Sequence, residues 1–156
     1  MREQAQAFLQ QNWKDIGVAM EIKNMPAAVI WGDYFLKSQY DTVMVGIDFM
    51  SGADPDATVR FDSKDIPAQG GTGSNTMQYK NTQIDELFEK GTTTIKQEDR
   101  KPIYQQIEKI IRDDLPMLPM FQYSTIVGVN KGLTGYVPNL NVLSNYWHIN
   151  TWKWEK

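Results

Sequence analysis

The stretch Thr42-Val43-Met44-Val45-Gly46-Ile47 is a near-continuous apolar, β-branched run. Runs of this kind mark strands covered on both faces, as in a parallel sheet flanked by helices. What precedes it fits such a layout. Ala5, Phe8, Leu9, Trp13 and Ile16 recur at three- and four-residue spacing, with Arg2, Glu3, Gln6, Gln10 and Lys14 on the other faces, which predicts an amphipathic helix. Gly17 stands where a left-handed glycine would end it. Val18-Ala19-Met20-Glu21-Ile22 alternates like a strand, and Pro26 suits the first turn of a second helix reaching to about Gln39. Helix, strand, helix, strand is the order of an open α/β sheet with a right-handed crossover.

The middle of the chain, 48–81, is of another character. Gly52, Pro55, Pro67, Gly70, Gly71 and Gly73 break it into a long irregular segment, with one short helix expected around 56–61. Such stretches inside a domain usually carry function or lack order. Two helices follow, over 82–90 and about 97–113, the second with Ile103, Ile107, Ile110 and Ile111 as its apolar stripe. Pro116 and Pro119 stop it. Met120-Phe121-Gln122-Tyr123 and Thr125-Ile126-Val127-Gly128-Val129 read as strands, 132–145 as loop, and the aromatic tail 146–154 alternates only weakly.

With 156 residues the chain has the size of one domain. Its net charge of −3, with Lys and Arg scattered, offers no basic stripe for nucleic acid. No apolar run approaches the ~20 residues of a membrane-spanning helix. There is no cysteine, which removes thiol nucleophiles, disulfides and Cys-based zinc sites together. Met1-Arg2 leads straight into a helical pattern, so no secretory signal is visible. Either the protein stays in the cytoplasm or its signal lies upstream of these residues.

Few constellations carry chemistry. Asp54-Pro55-Asp56 could hold a divalent cation or supply two carboxylates for acid–base work. Proline between them favours a turn, however, and either Asp could cap the helix that follows. His148 is the only histidine. It lies among Tyr146, Trp147 and Trp152 with no nucleophile motif in the chain, so packing is the better reading. Gly70-Gly71-Thr72-Gly73 lacks the Gly-Lys-Ser/Thr that a phosphate loop needs, and is expected to be a mobile surface loop. Pro116-x-x-Pro119 reads as a rigid connector. Trp31 is either a pocket wall or part of the helix–sheet core. Ile47-Asp48-Phe49-Met50-Ser51 follows directly on the apolar run, and open α/β sheets bind ligands beyond the carboxyl ends of their strands.

In sequence order, a set of segments carries a resemblance: Ala5, Phe8-Leu9-Gln10, Trp13 and Ile16-Gly17; Ile30-Trp31-Gly32-Asp33-Tyr34; Tyr40-Asp41 through Gly46; and Asp54-Pro55-Asp56. It continues through Ser74-Asn75, Tyr79-Lys80-Asn81, Ile84-Asp85-Glu86-Leu87, Arg100 with Tyr104 and Ile107, Asp114-Leu115-Pro116, and Gly132-Leu133-Thr134-Gly135-Tyr136-Val137-Pro138. The chain resembles the C-terminal part of the family 5 extracellular solute-binding proteins, the dipeptide- and oligopeptide-binding components of ABC importers. The resemblance implies an α/β, type II periplasmic-binding-protein-like lobe, with a mixed sheet flanked by helices. It implies that residues 1–156 are a C-terminal lobe whose N-terminal lobe lies elsewhere, and that the tail 146–156 returns toward that missing lobe.

It further implies a small-molecule or peptide ligand held between two lobes, a membrane permease as partner, no cofactor and a periplasmic or extracellular location. Membrane association would come through the transporter. Trp31 matches an aromatic that walls the pocket in dipeptide-binding relatives, and Asn75 a position in a cleft-side loop. In peptide-binding relatives an aspartate after the 42–47 strand pairs with the peptide amine, since a buried ammonium needs an anion. That place falls at Met50 or Ser51 here, neither a carboxylate, and Asp48 would point elsewhere if the strand continues. The expected ligand-facing residues are thus Trp31, Ile47, Asp48, Phe49, Met50 and Asn75. Two other readings stand beside this one: a carbohydrate-active enzyme resting on Asp54 and Asp56, and an interaction module built on the aromatic tail.

Overall fold

The computed structural model describes residues 2–47, 54–124, 126–139, 144 and 146–155. The chain divides into two units, one formed by Met1–Asp48 with Ala57–Pro116, the other by Phe49–Asp56 with Met117–Lys156. The first holds helices α1 (Arg2–Asp15), α2 (Ala27–Val29), α3 (Thr58–Phe61), α4 (Thr82–Thr93) and α5 (Gln97–Asp114). In the second, β1 (Leu133–Thr134) pairs antiparallel with β2 (Lys153–Trp154), Leu133 opposite Trp154. No described helix is long and apolar enough to cross a membrane.

The core of the first unit is local in sequence. Ile84 and Phe88 of α4 meet Ile103, Tyr104 and Ile107 of α5, and Phe61 and Ile66 close the cluster, all buried. The i, i+4 spacing on both helices makes one continuous apolar stripe on each. Asn81, extended at φ −152, caps α4, its side-chain oxygen accepting from the Gln83 and Ile84 amides. The cap is therefore Asn81, directly before the helix start expected at 82. Between the helices, Gly91 lets the Tyr104 ring approach to 3.0 Å of where a Cβ would stand. Arg100 then donates from Nε to the Gly91 carbonyl at 2.9 Å, with its guanidinium 5.0 Å from the Tyr104 ring centre.

The expected sheet of the α/β reading is reduced, among the described residues, to the two-residue pairing of β1 with β2. Residues 18–22 and 42–47 carry no helix and no ladder pairing among the described residues, and neither do 120–123 or the described part of 125–129. A strand is a property of two segments, and an apolar run supplies only one of them. The same holds for α1. Its Gly17 end is as read, with φ +83, but Phe8 and Ile16 are 73% and 75% exposed and none of its residues is buried. The helix predicted over 26–39 is also interrupted. It runs as α2, then a wide turn Ile30–Tyr34 broken at Gly32 (φ −88, ψ −142), then one further turn.

The glycine-rich segment is not an open surface loop. A Cβ on Gly71 would stand 2.6 Å from the Ile66 amide nitrogen, and one on Gly73 would stand 2.6 Å from the Val59 carbonyl oxygen. Backbone lies on backbone here, which only glycine permits. Gly73→Ala is expected to lower stability by about 1–3 kcal/mol through overpacking. Gly128→Ala, with nothing within 4 Å, should change it by less than about 0.5 kcal/mol. Urea denaturation followed by far-ultraviolet circular dichroism compares the two.

Candidate functional site

Three segments of the first unit build the candidate site: the broken helical stretch around Trp31, the turn at 38–40, and the loop 62–79. Trp31 is 44% exposed, and its indole meets the Phe35 ring edge-on at 5.3 Å. The i, i+4 spacing that places two rings on one helix face survives the break at Gly32. Phe35 in turn stacks on Tyr40 at 6.0 Å with the planes 17° apart, and Tyr34 lies 6.4 Å from the same ring. An aromatic row with one half-exposed end is a surface that a ligand's apolar face can cover.

The row is tied to the loop by hydroxyls. Tyr40 Oη donates to the Thr76 carbonyl at 2.8 Å, and Ser38 Oγ donates to the same oxygen at 2.7 Å. Thr76 is buried, and its neighbour Asn75 is 0% exposed. The Asn75 amide is fully engaged: Nδ2 donates to the Asp62 carbonyl at 3.0 Å and to the Tyr79 carbonyl at 2.8 Å, while Oδ1 accepts from the Tyr79 amide at 3.0 Å. Around it, Asp62 accepts from the Lys64 amide and pairs with the Lys64 ammonium at 3.0 Å, and Asp85 accepts from the Ser63 amide at 2.9 Å. A polar side chain at 0% exposure is tolerated because each of its donors and acceptors is satisfied.

At the far end of the loop, Tyr79 Oη and Asn81 Nδ2 both donate to the Asp114 carboxylate, the latter at 2.9 Å. Partial burial, and then the adjacent carboxylate, keep the Tyr79 phenol neutral and push its pKa up to about 12. The two hydrogen bonds hold Asp114 below its ordinary value. The signs follow by linkage. The folded state keeps the Tyr79 proton longer than the unfolded one, so that stabilisation is lost as pH rises from about 10 to about 12. It keeps the Asp114 proton less well, so that contribution is present above the ordinary carboxylate value and fades as pH falls through the lowered one.

Of the residues expected to face a ligand, Trp31 and Asn75 are linked through Phe35, Tyr40 and Thr76. Ile47 is half-buried at the end of the segment 42–47. Asp48, Phe49 and Met50 lie outside the described residues, as does Ser51. Asp54 accepts from the Asp56 amide at 3.0 Å, so the pair closes its own turn, and the residue before α3 is Ala57 without a side-chain cap. No cluster of three metal-ligating side chains occurs among the described residues. In the second unit His148 is stacked on Trp147 at 4.6 Å, as the packing reading expects, and Tyr136 and Tyr146 flank Trp152 at 5.6 and 5.8 Å. Ser38 and Tyr40 were not among the expected site residues. Their bonds to Thr76 span more than thirty positions, beyond the reach of any local pattern.

The chain is similar to two binding proteins. It is 27% identical over 146 residues to the Probable D,D-dipeptide-binding periplasmic protein DdpA of Escherichia coli (strain K12), which covers 91% of this chain and 27% of that protein. It is 25% identical over 132 residues to Heme-binding protein A of Haemophilus influenzae (strain ATCC 51907 / DSM 11121 / KW20 / Rd), covering 83% of this chain and 23% of that protein. The chain thus spans about a quarter of the length of these relatives. Both are named for binding and neither for catalysis. No family profile and no solved structure matches the chain.

Asn75→Ala is expected to cost about 2–4 kcal/mol, because two buried carbonyls and one amide lose their partners; thermal unfolding measures it. Tyr79→Phe should remove a tyrosinate transition centred near pH 12 from the absorbance titration, together with the loss of stability in that window.

Proposed function

We propose that the chain is part of the solute-binding component of an ABC importer, acting by capture of a small peptide-like solute and not as an enzyme. The observation that carries this reading is the similarity over 91% of the chain to a D,D-dipeptide-binding periplasmic protein. The half-exposed Trp31, presented by Phe35 and Tyr40, supports it as a surface for the apolar face of such a solute.

In this reading residues 1–156 belong to a C-terminal lobe of type II periplasmic-binding-protein-like, α/β architecture. The segments 18–22 and 42–47, read as strands, then meet their ladder partners in parts of the protein beyond this chain. Ile47 faces the cleft, and Asp48, Phe49 and Met50 are the further residues proposed to contact the ligand. Asn75 acts from beneath, by fixing the loop that carries Thr76. The N-terminal lobe supplies the opposite wall, a membrane permease receives the closed form, and the site of action is periplasmic or extracellular, beside that permease.

Deleting the encoding gene should reduce uptake of labelled D-alanyl-D-alanine by the source cell to background. Restoring the gene with Trp31→Ala should leave uptake about tenfold below wild type at equal protein level. Undiminished uptake in the deletion strain would sink the reading. Calorimetry of the 156-residue chain alone should show D-alanyl-D-alanine binding weaker than about 1 mM, that is, less than about 4 kcal/mol. A micromolar constant would show that one wall suffices.

A further inference from the structure

We propose that Tyr40, assisted by Ser38, is a positioning residue that sets the orientation of the Trp31 indole by anchoring the aromatic row to the Thr76 carbonyl. The proposal deepens the ligand-capture reading given above and rests on it for its consequence, though not for its geometry.

The residue directly after Trp31, Gly32, leaves helical geometry at ψ −142, and the Phe35 amide bonds to the Gly32 and Ile30 carbonyls across the break. The indole meets the Phe35 ring edge-on at 5.3 Å, so its orientation follows that ring, and the Phe35 ring in turn needs something to hold its other face. Tyr40 does so, nearly parallel at 6.0 Å, and Tyr40 is fixed at its far end by the 2.8 Å bond to Thr76. The chain of constraint runs from the loop to the phenol, to Phe35 and to the indole.

Ser38 points the same way. It sits at φ +54, left-handed space where Gly or Asn is the ordinary choice and where a side chain is strained. The turn is closed by Ser38 N–H to the Phe35 carbonyl at 3.1 Å and by Gln39 N–H to the Tyr34 carbonyl at 2.9 Å. Glycine would satisfy both bonds without strain. What serine adds is the hydroxyl, which takes the second lone pair of the Thr76 oxygen at 2.7 Å. Two hydroxyls from one turn thus converge on one buried carbonyl. That oxygen is held in place, since the adjoining Asn75 is itself fixed by three hydrogen bonds to Asp62 and Tyr79.

The test reads Trp31 directly and needs no ligand. Its near-ultraviolet circular dichroism is obtained as the difference between each protein and its Trp31→Phe counterpart, for the 156-residue chain, Tyr40→Phe, Ser38→Gly and the double variant. We expect the Trp31 band to fall by more than half in the double variant and by a smaller amount in Tyr40→Phe, while the melting temperature of Tyr40→Phe stays within a few degrees. Lys37→Ala, which removes only the exposed 2.6 Å pair with Asp33 on the same stretch, should leave the band unchanged. A band that persists in both variants overturns the proposal, and so does one that falls only in proportion to the unfolded fraction. Should the double variant fail to fold, Tyr40→Phe, which keeps the ring and loses only the bond, decides in the same way. The uptake assay above is independent of these spectra. Loss of the band with no effect of gene deletion on uptake would retain the positioning role and remove the ligand reading; a persistent band with deletion-dependent uptake would do the reverse.

Discussion

The side chain of Asn75 is the interaction on which the arrangement of the first unit's surface depends. It is wholly buried, and it makes three hydrogen bonds to backbone groups drawn from both ends of the loop 62–79. The gain from such bonds over bonds to water is modest, but leaving their partners unmade in the interior is expensive. The loop therefore has one low-energy arrangement. Gly71 and Gly73 are glycines because that arrangement brings backbone onto backbone, and Thr76 presents its carbonyl at a fixed place because its neighbour is held. The aromatic row ending in Trp31 inherits its position from this loop, at one remove. A polar residue in the interior thus does for the surface what apolar packing does for the α4–α5 core.

The parts of the fold legible in the sequence are those whose causes are local. The 97–114 helix shows its stripe of Ile103, Ile107 and Ile111, and Gly17 announces the end of α1 through its freedom at positive φ. The sheet is less legible for the opposite reason. Residues 42–47 have the composition of a buried strand, but composition names no partner, and among the described residues none pairs with them. The Gly32 break belongs in between. Glycine is the weakest ordinary helix former, and Gly32 stands inside the span 26–39 whose start at Pro26 reads as that of one helix.

The candidate site divides along the same line. Trp31 and Phe35 are readable as an i, i+4 pair, and Trp31 emerges half-exposed. Asn75 was legible as a notable residue and not in its manner of acting: its spacing from Asp62 and Tyr79 looks like nothing until the loop closes. A signal was nonetheless present: Asn75 follows Phe61, Ile66, Gly71 and Gly73 within one segment, and an asparagine buried there has to satisfy its amide from nearby backbone. Ser38 and Tyr40 had no such signal, because their acceptor is a main-chain carbonyl that any residue at position 76 would supply.

The local character of the core has a kinetic meaning. Ile84, Phe88, Ile103, Tyr104 and Ile107 lie in two helices joined by a three-residue connection, Thr94 to Lys96. Contacts of such short sequence separation close with little loss of loop entropy and form early. The bonds from Ser38 and Tyr40 to Thr76 span the longest separations of the candidate site and can form only on a loop already closed. The helical hairpin is thus expected to exchange slowest in the unit, and the face that carries Trp31 to be its last part to assemble and its first to open.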